Sequence, residues 1–135
     1  MFSKKHSKPQ TQIDSLIGVG TTIEGNLNFS GGLRIDGQVN GSVIAAEGKP
    51  STLVLSEHAC VVGEVNVTHL VINGTINGPV FVSEYLELQG KAKVNGDVHY
   101  TTMEIQLGAI VEGRLVHASA ESKDKVVAFK GGSGE

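Results

Sequence analysis

A chain of 135 residues, 39% hydrophobic, with a formal charge of only −3, has enough apolar material for one modest domain and too much for disorder. Its 18 glycines, roughly twice the usual ~7%, argue against a helix bundle, because glycine inside a helix costs roughly 0.8–1 kcal/mol relative to alanine. The glycines do not fall every third residue, which excludes collagen, and the single cysteine, Cys60, excludes an internal disulfide framework and a Cys-rich zinc site.

Residues 1–12 read as a flexible, polar and basic tail, with Lys4, Lys5 and Lys8 and no acid. They contain no apolar stretch of the kind that opens a secretory signal, and no run in the chain approaches the ~20 apolar residues of a membrane-spanning helix. The expected address is therefore the cytoplasm. The start Met1-Phe2-Ser3-Lys4-Lys5-His6-Ser7-Lys8 is a minimal membrane-surface signal. Burying Phe2 contributes roughly 2–3 kcal/mol, and each lysine about 1 kcal/mol at an anionic leaflet. Such a total is weak for one molecule but becomes effective when many copies are presented together.

Residues 13–118 carry five basic and eleven acidic residues, a poor surface for nucleic acid. A repeat of the form apolar, any, Gly, any, apolar organises this segment. It occurs at Ile23–Leu27, Val39–Val43, Val61–Val65, Ile76–Val80, Val94–Val98 and Val111–Leu115, around Gly25, Gly41, Gly63, Gly78, Gly96 and Gly113. These glycines lie 16, 22, 15, 18 and 17 residues apart. Between the copies stands a second element, apolar-any-apolar: Leu33-Arg34-Ile35, Leu53-Val54-Leu55, Leu70-Val71-Ile72, Leu86-Glu87-Leu88 and Met103-Glu104-Ile105. The local period is two, as in strands with one buried face. The gap between the two elements is four or six residues, always even, so the same face stays buried.

A unit of this size cannot close a core alone, but stacked units can. The pattern predicts an all-β, single-domain parallel β-helix of about six coils, roughly 29 Å long at the ~4.8 Å strand spacing, with the repeated glycines at a corner. Asn40-Gly41, Asn73-Gly74, Asn77-Gly78 and Asn95-Gly96 also suit the hairpin turns of an antiparallel sandwich. The regular return of the apolar positions on both sides of each glycine favours the β-helix. Asn40, Asn77 and Asn95 share one repeat position and are candidates for a short asparagine ladder. The stretch between Val43 and Leu53, with Gly48-Lys49-Pro50, reads as an outward loop. Residues 119–135, ending Gly131-Gly132-Ser133-Gly134-Glu135, read as a second flexible tail.

No convergent catalytic set emerges. His6, His58, His69, His99 and His117 show no metal-ligand spacing, and His58 with Cys60 supplies two ligands where a closed site needs more. Gly18-Val19-Gly20 lacks the helix and the Lys-Ser/Thr pair of a phosphate loop. Glu84, Glu87, Asp97, Glu104 and Glu112 fall at solvent-facing parities. The expectation is a protein that is not an enzyme and takes no cofactor or metal. A β-helix also has two open ends, and no amphipathic helix long enough to cap them precedes Ile13 or follows Ala118. Ile17, Ile23 and Leu27 at one end, and Met103, Ile105, Val111 and Leu115 at the other, are therefore candidate polymerisation surfaces.

Residues 13–118 and the start Met1-Phe2-Ser3-Lys4-Lys5 resemble the bactofilins, a bacterial cytoskeletal family. The resemblance is carried by the short basic N-terminus, by Ile17-Gly18-Val19-Gly20-Thr21-Thr22-Ile23-Glu24-Gly25 and by Leu33-Arg34-Ile35-Asp36-Gly37-Gln38-Val39-Asn40-Gly41. It implies a right-handed triangular β-helix and filaments that need no nucleotide, lying on the inner face of the cytoplasmic membrane. It further implies a scaffold for cell shape or envelope synthesis, with peptidoglycan-modifying enzymes or other envelope proteins as partners. The family's membrane-targeting segment maps onto Met1, Phe2, Lys4 and Lys5, with Lys8 extending the basic cluster. Phe129 lies in the polar tail, a poor match to the C-terminal aromatic that supports assembly in some members. The alternative is a left-handed β-helix acyltransferase of the hexapeptide-repeat type. Ile17, Ile23, Phe29 and Ile35 do recur every six residues, but glycine spacings of 22 and 15 break that period, and the loop at Ala45–Pro50 has no histidine.

Overall fold

The computed structural model describes residues 12–118, which wind into a β-solenoid of six coils with no helix. The first coil comprises β1 (Ser15–Ile17), β2 (Thr22–Glu24) and β3 (Leu27–Phe29), and the second β4 (Gly31–Ile35), β5 (Gln38–Asn40) and β6 (Val43–Ala45). The third holds β7 (Ser51–Leu55), β8 (Cys60–Val62) and the start of β9 (Val65–Ile72). The fourth holds the rest of β9, β10 (Thr75–Asn77) and the start of β11 (Val80–Leu88). The fifth holds the rest of β11, β12 (Lys93–Asn95) and β13 (Val98–Tyr100), and the sixth β14 (Met103–Ile105), β15 (Ile110–Glu112) and β16 (Leu115–His117).

Each coil contributes one strand to each of three faces, and every pairing is parallel. The first face runs β1, β4, β7, β9, β11, β14. The second runs β2, β5, β8, β10, β12, β15. The third runs β3, β6, β9, β11, β13, β16. Among the described residues no antiparallel pair occurs, which sets the sandwich aside. β9 and β11 turn the corner from the third face to the first as continuous strands, β11 with a register shift between Val82 and Tyr85.

The alternation in sequence becomes columns in space. Ile35, Leu55, Ile72 and Leu88 stack on the first face, Val39, Val61, Ile76 and Val94 on the second, and Val43, Val65, Val80 and Val98 on the third, all buried. Each such side chain contributes roughly 1.5–3 kcal/mol on leaving water. The core is aliphatic because stacked branched side chains fill the narrow interior between the three faces without large rings.

Glycine forms the corner between the second and third faces. At Gly78, where φ is +153°, a Cβ would collide with the carbonyl of Gly63 in the coil below, and the same overlap recurs at Gly41, Gly63, Gly96 and Gly113. The backbones approach this closely because the Gly N–H donates to the next coil, as from Gly63 to Asn77 O at 2.9 Å and from Gly78 to Asn95 O at 3.0 Å. The corner between the first and second faces explains the even gaps. Asp36-Gly37 and Asn73-Gly74 make short corners. Gly18–Thr21, Ser56–Ala59, Gln89–Ala92 and Gln106–Ala109 make longer ones, each closed by a hydrogen bond from its fourth residue to its first. The two added residues bulge outward and leave the register of the columns unchanged.

At the third corner, residues 46–50 leave the solenoid as an exposed loop. Hydroxyl groups replace the missing ladder there. Ser51 N–H donates to Thr68 Oγ1 at 2.8 Å, Thr68 N–H donates to Ser51 Oγ at 3.1 Å, and Thr68 Oγ1 donates to Ser51 O at 2.7 Å. The asparagine ladder is present only in part. Asn95 Nδ2 donates to Asn77 Oδ1, whereas Asn40 Nδ2 donates to Glu24 Oε2 at 2.9 Å. Val62 holds the same position in the third coil and separates the two pairs.

Candidate self-association surfaces

Among the described residues the six outermost strands each pair on one side only. β1, β2 and β3 pair inward with β4, β5 and β6, and β14, β15 and β16 pair inward with β11, β12 and β13. Their outer edges present rows of backbone donors and acceptors, the arrangement that templates a further strand. The hydrophobic columns run out to the same edges. Ile105 is 48% exposed although Leu88, its register partner one coil inward, is fully buried; Leu115 is 45% exposed above a fully buried Val98.

Ile17, Ile23 and Leu27 therefore lie together on the first coil, and Met103, Ile105, Val111 and Leu115 on the sixth, each set spread over all three faces. Phe29 and Ala109 also pack partly exposed against the core at these ends. The six-residue recurrence through Ile17, Ile23 and Phe29 was the sequence signal for Phe29. The candidate membrane residues Met1, Phe2, Lys4, Lys5 and Lys8, and likewise Phe129, lie outside the described residues.

Polar contacts brace the last coil. Asp97 accepts from Arg114 N–H at 3.0 Å and from Arg114 Nη2 at 2.9 Å, and these bonds hold its carboxyl below the usual aspartate range. Tyr85 donates to Glu104 Oε1 at 2.7 Å, and this bond, aided by desolvation, pushes its hydroxyl up to about 12. On the inner coils, Lys91 and Glu57 meet at 2.8 Å across two turns.

Three of the four described histidines make contacts within the solenoid. His99 stacks on Phe81 with ring centroids 4.5 Å apart, and His117 bonds Thr101 O at 3.0 Å. His69 is buried between the Thr68 hydroxyl at 2.9 Å and Glu84 at 3.6 Å. His58 sits on an exposed corner 3.5 Å from Glu57, and Cys60 opens β8 half-buried. Among the described residues no three His, Cys, Asp or Glu side chains converge as a metal site, and no helix is long and apolar enough to cross a membrane.

Among the described residues the fold is a three-faced β-solenoid whose apolar columns run out to both end coils and whose polar side chains brace neighbouring coils. Residues 15–116 match the family model for bactofilins, described as polymer-forming and cytoskeletal. The chain belongs to the bactofilin family. No curated protein and no solved structure matches it.

Proposed function

We propose that this protein is a cytoskeletal scaffold, not an enzyme, whose copies join through their end coils into filaments without nucleotide, cofactor or metal. The observation that carries this reading is the abrupt change at the sixth coil, where Ile105 and Leu115 are half exposed directly above fully buried Leu88 and Val98. Joining two ends buries both hydrophobic patches and pairs both rows of backbone groups, so association satisfies two needs with one contact. The filament lies on the inner face of the cytoplasmic membrane, held by Met1, Phe2, Lys4, Lys5 and Lys8. Each copy adds one weak anchor, and the polymer sums them. On that surface it positions factors of cell shape or envelope synthesis, peptidoglycan-modifying enzymes among them.

Pelleting and negative-stain electron microscopy of purified protein, without nucleotide or metal, test the first part. Filaments are the expected result; a uniform compact trimer overturns it and favours the acyltransferase alternative. Co-sedimentation of filaments with anionic liposomes tests the second part. Removal of residues 1–8 is expected to abolish liposome binding and leave filaments intact, and unchanged binding overturns the membrane role.

A further inference from the structure

The four-residue corners between the first and second faces allow one position to be compared along the rod. The second residue of the corner is Val19 in the first coil, Glu57 in the third, Gly90 in the fifth and Leu107 in the sixth. The inner two are a carboxylate bonded to Lys91 and a glycine lying beneath the Leu107 carbonyl. The outer two are apolar and lie in water: Val19 is 71% exposed and Leu107 98%. Each apolar corner has a second exposed apolar residue beside it on its own end coil. Leu16, 61% exposed, stands in register with Arg34 of the next coil, and Ile110, 48% exposed, with Lys93 of the coil before it.

None of the four belongs to the core columns. Leu16 alternates with inward Ile17, and Ile110 with inward Val111. A lone exposed leucine carries no message. Here the second corner residue is apolar and exposed on both end coils, and a glutamate or a glycine in the inner corners of the same length.

We propose that Leu16 and Val19 at one end, and Leu107 and Ile110 at the other, form an apolar lip that closes against the end coil of a second copy. This rests on the filament reading above. The occupant follows from the ladder beneath the lip. A Cβ on Gly108 would run into the Gly90 carbonyl, so these corners stack backbone on backbone, and among the described residues β14 and β15 have no partner on their outer edges. The surface that continues this stack is another coil with a corner in the same place. The lip then shields the newly formed strand ladder from water at its outer rim, as a ring of contacts shields the centre of an interface. It sets how tightly copies hold and leaves the fold of each copy unchanged.

The test compares full-length wild type with Leu107→Asp, Val19→Asp and the conservative Leu107→Met. All three variants are expected to keep the wild-type circular dichroism melt, because both sites are exposed. The two Asp variants are expected to raise the critical concentration for pelleting at least about tenfold, with Leu107→Met near wild type. Maleimide labelling of Leu107→Cys in a Cys60→Ser background supplies a second readout. Rapid labelling in dilute monomer and protection in filaments support the lip. Protection already in the dilute monomer overturns it, because the chain's own tail would then be the cover. Wild-type assembly with unchanged critical concentrations in both Asp variants overturns the lip and leaves the filament reading standing. Failure of the wild type to assemble overturns the filament reading and the lip with it.

Discussion

Arg114 reaches from the sixth coil to Asp97 in the fifth with two hydrogen bonds, one from its backbone N–H and one from its guanidinium. The pair ties down the strand that ends in Leu115, Val116 and His117, which is the last rung before the open end.

The pair makes the end coil sensitive to acid. Its two bonds to Arg114 lower the Asp97 carboxyl from its ordinary value of 3.8, so the folded state favours the charged form. That contribution is complete above the ordinary value and is lost as pH falls through the lowered folded value. Amide exchange in β16 is expected to accelerate below about pH 4 relative to β10. Asp97→Asn is expected to show the faster exchange already at neutral pH and to flatten the pH dependence. Hydrogen exchange followed by mass spectrometry checks both.

The glycine corner predicts a gradient of tolerance. Gly78→Ala places a methyl group into the Gly63 carbonyl as well as straining the backbone, and is expected to cost about 2–3 kcal/mol. Gly25→Ala meets no atom within 4 Å and bears only the strain of φ +122°, about 1 kcal/mol. Urea unfolding of dilute protein separates the two values.

The end columns predict loss of assembly without loss of fold. Ile105→Arg, Val111→Arg or Ile23→Arg puts a charge where the apolar columns emerge. Each is expected to raise the critical concentration about 100-fold, which is about 2.7 kcal/mol. Dilute protein should melt within a few degrees of wild type. A pelleting series at fixed salt measures the first quantity and circular dichroism the second.

Thr52 offers a stabilising change. The residue lies on the first face in register between Gly32 and His69, and its buried hydroxyl has no hydrogen-bond partner among the described residues. An unbonded buried hydroxyl costs roughly 1–3 kcal/mol. Thr52→Val is therefore expected to raise stability by about 1 kcal/mol, read as a higher urea midpoint at an unchanged slope.

The sequence by itself determined the solenoid. Alternation through Leu33, Ile35, Val39 and Val43, with even gaps between elements, made every apolar residue of the repeat an inward one, because strand geometry turns parity directly into facing. It also marked the glycine corners and the loop before Ser51.

The tertiary structure decided what depends on which coil lies above which. Parallel pairing replaced the hairpins that Asn-Gly pairs also suit, because those glycines are required for contact between coils and not for reversal of the chain. Val62 broke the asparagine ladder because stacking brings the third coil between Asn40 and Asn77. The exposed corner residues Val19 and Leu107, distant in sequence and unremarkable in any local pattern, gained a shared identity only when the same corner could be followed from one end of the rod to the other. Local period is a property of neighbours along the chain; stacking is set by contacts about one whole coil apart, and only the folded backbone records that registration.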